Sequence, residues 1–323
     1  MLTRRGAIAA LGIGVVGAAA LAQTNAAPTY EDPDDLYAAL ANQPVERIAQ
    51  AGGEIALVFA DGAPGVDRER VRAWIGQAAD AVTRYFGRFP VQHYGLLVIA
   101  QDGDSVGHAT TFGYAGSATR IHVGRSADTA AFARDWILTH EMLHAALPDL
   151  PRRALWLQEG NATYIEPIAR ARAGYLSERE VWRQSLVGMP KGEPGPDDDG
   201  MNGTKRWARL YWGGATFWLQ AEVDIARASG GRHSLRDAMR AINRQSGGNH
   251  VDWTPEQLMA AGDAATGTNT LTRLYTRFAG QRVVTDLDSL FASLGIVDRD
   301  GDVVFDDAAP LAHLRRSLTR RAA

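Results

Sequence analysis

The chain is 323 residues long, 46% hydrophobic and 22% charged, with a formal net charge of −3 and no cysteine. That balance is not basic enough for a nucleic-acid partner, and the absence of thiols excludes disulfides, thiolate metal sites and cysteine nucleophiles. Any metal must be held by histidine and carboxylate.

Residues 1–27 read as an export signal: Arg4 and Arg5 make a charged start, an Ala- and Gly-rich apolar run extends from Ala7 to Ala22, and Ala20-Leu21-Ala22 offers a cleavage site. The paired arginines and weakly hydrophobic run are similar to a twin-arginine signal, but Ala7 stands where such signals usually carry Phe, so the general secretory route stays open. The run is shorter than the roughly 20 residues needed to cross a bilayer. The expectation is a bacterial protein exported to the periplasm or medium, with no membrane span in the mature chain, residues 28–323.

Residues 27–51 are polar and acidic, then weakly helical. Residues 54–59 read as a buried strand closed by the turn at 61–64. Residues 67–86 have helical periodicity, with Val71, Trp74, Ile75, Ala78, Val82 and Phe86 on one side. Further strands are predicted over 94–100 and 119–123, and Ser126 or Asp128 is placed to cap the helix that follows.

That helix carries His140-Glu141-Met142-Leu143-His144. Positions i and i+4 share a helix face, so the two imidazoles can converge on one point, and zinc suits neutral imidazole. Glu141, one residue beyond the first histidine, can take a proton from a zinc-activated water without ligating the metal. A catalytic zinc takes three protein ligands and keeps a fourth position open. Beyond the break at Pro148 and Pro151 a second helical pattern begins, and an antiparallel return would bring Glu159 over the histidines. On the same face, Thr163 and Glu166 are placed to orient a histidine ring or simply to pack beneath the site; Pro167 should kink this helix.

These residues resemble the gluzincin metallopeptidases, the clan of thermolysin, aminopeptidase N and the glycyl aminopeptidases. Their signature of His-Glu-x-x-His followed by Trp-Leu-x-Glu-Gly-x-Ala-x-Tyr is met here by His140, Glu141 and His144, then Trp156, Leu157, Glu159, Gly160, Ala162 and Tyr164. The resemblance implies one zinc per chain and hydrolysis of a peptide or protein substrate. It also implies a role for Tyr211, which opens the helix at 208–229 as Tyr-x-x-Gly: its hydroxyl would stabilise the oxyanion, against the alternative of a core tyrosine. The aminopeptidase branches hold the substrate's amino group with a glutamate on an upstream edge strand. The corresponding stretch here, 110–117, has no carboxylate, which argues against a strict aminopeptidase.

The Gly-, Pro- and Asp-rich loop at 188–203, with Asp197, Asp198 and Asp199, reads as a solvated turn rather than a calcium site, and Asp298 to Asp302 as a hairpin turn before 303–305. Shorter helices follow at 235–244, capped by Ser234, and at 271–278 and 286–294. The expected architecture is α+β: a zincin-like, two-lobed catalytic domain, with a mixed sheet and helices over about 52–147 and a mostly helical lobe over about 148–323. The rival readings are a non-catalytic zincin-fold binding or envelope protein, which would have no need of Glu141, and a zinc amidohydrolase on the same scaffold.

Overall fold

A computed structural model describes residues 30–321; the export-signal reading of 1–27 lies outside them. Helix α1 (Pro33–Asn42) is followed by β1 (Val45–Gln50) and β2 (Gly53–Phe59), an antiparallel pair. The strand β1 corrects the expectation of weak helix there. Its residues alternate exposed and half-buried, as on a sheet edge, and its charged members hide the strand from a hydrophobicity reading.

Helix α2 (Arg68–Phe86) starts at Asp67, whose carboxylate accepts from the Glu69 and Arg70 amides, and ends at Gly87 in the left-handed conformation. Its apolar stripe from Val71 to Phe86 packs on one face of a five-stranded sheet completed by β3 (His93–Gln101), β4 (Val106–Phe112) and β5 (Ala118–Gly124). The spatial order is β1-β2-β3-β5-β4, with β2, β3 and β5 parallel and both outer strands antiparallel to their neighbours. The opposite face is closed by α1 through a smaller cluster that includes Leu36, Ala39, Val58, Leu97 and Ala118. Among the described residues strand β4 thus forms an unpaired sheet edge, with a register irregularity between Val106 and Ala109.

Asp128 caps only the short α3 (Thr129–Arg134), so neither Ser126 nor Asp128 starts the motif helix. That helix, α4 (Ile137–His144), is opened by Asp135, whose carboxylate accepts from the Ile137 amide at 3.0 Å and the Leu138 amide at 3.2 Å. Helix α5 (Leu155–Ala173) continues through Pro167, and α6 (Glu178–Gly188) follows. A π-helical turn at Arg209–Gly213 leads into α7 (Gly214–Ala228). Next come α8 (Leu235–Ser246), started by the Ser234–Asp237 capping box, and α9 (Pro255–Thr266), α10 (Thr270–Gly280) and α11 (Leu287–Leu294). The hairpin of β6 (Ile296–Arg299) and β7 (Asp302–Phe305) turns at Asp300 and Gly301, both at positive φ, before α12 (Ala312–Thr319). One apolar cluster runs from the strands through α5 and α7 to α12.

Candidate active site

Three elements meet at the histidine pair. Helix α4 lies against α2 and β4, and its buried Leu138, Met142 and Leu143 fix its rotation. Helix α5 returns alongside α4 and carries Glu159. The π-helical turn crosses α5 at very close range. A methyl on Gly160 would lie 2.3 Å from the Gly214 Cα, and one on Gly214 would lie 2.3 Å from the Trp156 carbonyl oxygen. The glycine after Glu159 and the glycine three residues after Tyr211 therefore serve one contact, which sets the tyrosine over the glutamate's helix. The added residue of a π turn redirects the side chains that follow it.

The Glu159 Oε2 atom lies 3.2 Å from His140 Nε2 and 3.5 Å from His144 Nε2. Ligand atoms on a tetrahedral zinc with bonds of about 2.0–2.1 Å sit about 3.4 Å apart, so this donor set fits zinc. His140, Glu141 and His144 also bring ligand atoms within 4.8 Å of one another. The Glu159 oxygen approaches both imidazoles, whereas Glu141 Oε2 accepts from Thr111. The charges follow from that contact. Burial works against ionising Glu159, yet the flanking imidazoles hold it well below the usual carboxylate range. Burial alone would lower His144, but Glu159 outweighs it and holds that imidazole up at about 9.

Glu141 faces β4. Thr111 Oγ1 lies 2.7 Å from Glu141 Oε2 and 3.1 Å from its carbonyl oxygen, while Thr119 Oγ1 lies 2.6 Å from Thr111 Oγ1 and is itself bonded to the Tyr94 hydroxyl. Thr111 donates its one hydroxyl proton to Glu141, which gives the row one direction: Tyr94 donates to Thr119 and Thr119 to Thr111. Tyr94 and Thr119 are fully buried. Sequence reading missed this row. Thr111 and Thr119 meet only through the pairing register of β4 with β5, which the sequence does not show.

Tyr211 stacks on His140 with ring centroids 5.8 Å apart and is flanked in turn by Trp207 at 4.6 Å. Burial and the Glu159 carboxylate raise its hydroxyl above the ordinary tyrosine value, so it remains a donor at neutral pH. Thr163 and Glu166 lie beside His140 in a shared cavity. The Glu166 carboxylate accepts from Arg170 Nη1 at 2.9 Å, and His140 Nδ1 is buried with no hydrogen-bond partner among the described residues.

The free edge of β4 at residues 109–112, with Glu141, His144, Glu159 and Tyr211, lines a cavity of about 470 Å³. Asp149, Gln158 and Asn249 complete it, so a carboxylate outside the 110–117 stretch also reaches the cleft. Asp149 accepts from the Leu150 amide at 3.0 Å and from Gln158 Nε2 at 3.3 Å.

Elsewhere, Glu31, His108 and His122 form a second group with ligand atoms within 4.8 Å. There the imidazoles stack face to face at 4.3 Å, so their in-plane lone pairs do not converge, and Arg120 holds the Glu31 carboxylate at 3.2 Å. The acidic loops match their sequence reading as turns: Asp198 accepts from the Gly195 amide and from Arg206, and Asp298 from the Gly301 amide.

No family model matches the chain, and no curated protein matches it in sequence. Solved structures do match in fold. An aminopeptidase N family protein from Idiomarina loihiensis superposes with a TM-score of 0.57 at 13% identity, covering 79% of this chain and 50% of that one. A mutant two-domain M1 zinc metallopeptidase bound to L-arginine gives 0.50 at 14% identity, covering 76% and 53%. The chain spans about half the length of these proteins. Their likeness shows the fold, which is that of the gluzincin-type metallopeptidases: a mixed sheet with helices, continued by a helical C-terminal part. Among the described residues no helix is long and apolar enough to cross a membrane.

Proposed function

We propose that this chain is an exported zinc-dependent peptidase that binds one zinc through His140, His144 and Glu159. The observation that carries the reading is the close match between the Glu159-to-imidazole separations of 3.2 and 3.5 Å and the ligand spacing of tetrahedral zinc. When bound, the zinc would act as a Lewis acid on the scissile carbonyl and acidify the attacking water. Glu141, held by Thr111, takes a proton from that water as its oxygen bonds to the carbonyl carbon, and passes it to the nitrogen as the C–N bond breaks. Tyr211 donates a hydrogen bond to the oxygen on which charge develops. An extended peptide can lie along the free edge of β4 and pair with its backbone.

The 110–117 stretch offers no carboxylate to a free amino group, and Asp149, which reaches the cleft from outside it, already accepts through Oδ1 from the Leu150 amide and Gln158 Nε2. Substrates blocked at the amino terminus are therefore accepted. The test is metal analysis of the purified mature chain together with a library of free and N-acetylated peptides. About one zinc per chain and cleavage of both peptide sets is the expected result. Zinc at near-zero stoichiometry with no uptake on titration refutes the metal assignment, and cleavage confined to free amino termini refutes the reading of the edge strand. Tight zinc binding with no peptide cut would favour the binding-protein alternative, and Glu141 is the residue that argues against it.

A further inference from the structure

On the other side of Tyr211 from the β4 edge lies a second cavity, of about 310 Å³, which opens beside His140. Trp136, Val187, Trp207 and Trp212 line it. Three of these are among the most exposed large apolar residues described, Trp136 at 44%, Val187 at 52% and Trp207 at 59%. Large apolar side chains left in water at one place mark a surface with an occupant. Trp212 forms a seated wall: a methyl on Gly188 would lie 2.4 Å from its indole, so the end of α6 must be glycine for the ring to lie there. The volume is at the small end for ligand cavities, room for one aromatic side chain and not for a folded partner.

The charges on the lining narrow the occupant. Arg183 is held by both oxygens of Glu180 at 2.7 Å, and Glu166 is held by Arg170. Lys191 also lines the cavity, and among the described residues it has no ion-pair partner. His140 has Glu159 at 3.2 Å, so among the lining residues the Lys191 ammonium is the charge left without a partner. We propose that this cavity binds an aromatic side chain that carries a carboxylate within a few bonds of the ring, with the ring among Trp136, Trp207 and Trp212 and the carboxylate on Lys191. In a peptide, that chemistry comes either from a carboxy-terminal aromatic residue or from an aromatic residue next to Asp or Glu. The assignment rests on the peptidase reading for its biological sense and not for its binding.

The first arm of the test uses metal-free protein, so that no carboxylate can bind through zinc. Ligand-observed NMR with 3-phenylpropionate, propionate and 3-phenylpropanamide separates the ring from the charge. The expected result is binding of 3-phenylpropionate at least about tenfold tighter than either control, weakened about tenfold by Trp207→Ala and by Lys191→Glu. Equal binding of the three probes, or 3-phenylpropionate binding unchanged in both variants, overturns the proposal. The second arm gives the zinc-loaded enzyme peptides ending in Phe as free acid, peptides ending in Phe amide, and amides containing Phe-Asp. Preference for the free acid alone assigns the carboxy terminus, and preference for Phe-Asp assigns the acidic neighbour. Hydrolysis indifferent to the ring overturns the cavity assignment alone. If 3-phenylpropionate binds as expected and no peptide is cut, the peptidase reading falls and the cavity assignment stands.

Discussion

The two halves of α5 carry a glutamate each on one helix face, and their fates differ. Glu159 meets two imidazoles at 3.2 and 3.5 Å, is half-shielded at the cleft and is held ionised. Glu166, two turns on, is fully buried; burial raises it to about 7 even though Arg170 donates to it at 2.9 Å. Helical periodicity puts both on the side that faces the site. What separates them is the neighbour that crosses the helix: α4 brings histidines over the first half, whereas the second half runs into the interior beside Asp135 and Arg170. The neighbour that crosses the helix, and not its periodicity, thus decides whether a glutamate on this face meets imidazoles or a guanidinium.

The largest effect that sharpens this contrast comes from the same substitution at both positions. Glu159→Gln should weaken zinc binding by more than about 10²-fold and abolish hydrolysis, because a neutral amide oxygen is a poor third ligand. Glu166→Gln should keep zinc at parental stoichiometry. Equal metal loss in both variants, measured by competition with a chromophoric chelator, would erase the distinction. Glu141→Gln comes next: zinc retained, and kcat lowered by about 10²–10⁴-fold through loss of the base. Full activity in that variant would remove Glu141 from the chemistry. Tyr211→Phe should lower kcat by about 10²–10³-fold with KM little changed, and an unchanged rate would make Tyr211 a packing residue. Smaller again is Thr111→Val, which removes the donor that aims Glu141. A fall in kcat of about tenfold is expected at constant KM, with recovery in Thr111→Ser. Failure of the Ser variant to recover would show that shape, not the hydroxyl, matters there.

How much of this was legible in the sequence follows from which interactions are local. His140, Glu141 and His144 share one short helix, and the spacing that makes them converge is a property of the helix itself. Strands β2 and β3 were legible as apolar runs, and β5, though buried throughout, shows only Ile121 and Val123 alongside Arg120 and His122. The two antiparallel edge strands were harder: β1 is charged and half-exposed, and β4 reads as Val-Gly-His-Ala-Thr-Thr-Phe with no alternation of hydrophobicity. The start of α4 was misplaced because Asp128 and Asp135 are equally good caps in sequence, and only the break between α3 and α4 tells them apart. The Tyr94–Thr119–Thr111 row could not be read at all, since it depends on the register of three strands. The aromatic cavity draws on four separate segments, and Gly188 gives no sign in the sequence of the indole it accommodates.

The effect expected on stability rather than on activity concerns a third buried carboxylate, and it tests whether burial without an ionic partner behaves as the contrast on α5 requires. Glu222 on α7 is 1% exposed, and its Oε1 accepts from the Leu235 amide at 3.1 Å at the head of α8. Burial raises its pKa from 4.5 to about 7. Below 4.5 the folded and unfolded chains both hold the proton and the group contributes nothing to the pH dependence. Between 4.5 and about 7 the unfolded chain has released the proton while the folded chain retains it, so stability falls as pH rises, and above about 7 the loss is complete. Glu222→Gln keeps the oxygen that caps α8 and removes the titration. Its stability relative to the parent should therefore rise by roughly 1–3 kcal/mol between pH 4.5 and pH 8 and then level off. Urea unfolding of both proteins across that range reads the difference directly. A difference that does not change with pH would mean that Glu222 is already ionised in the folded chain, with Arg236 or Arg172 close enough to compensate it as Arg170 does not fully compensate Glu166.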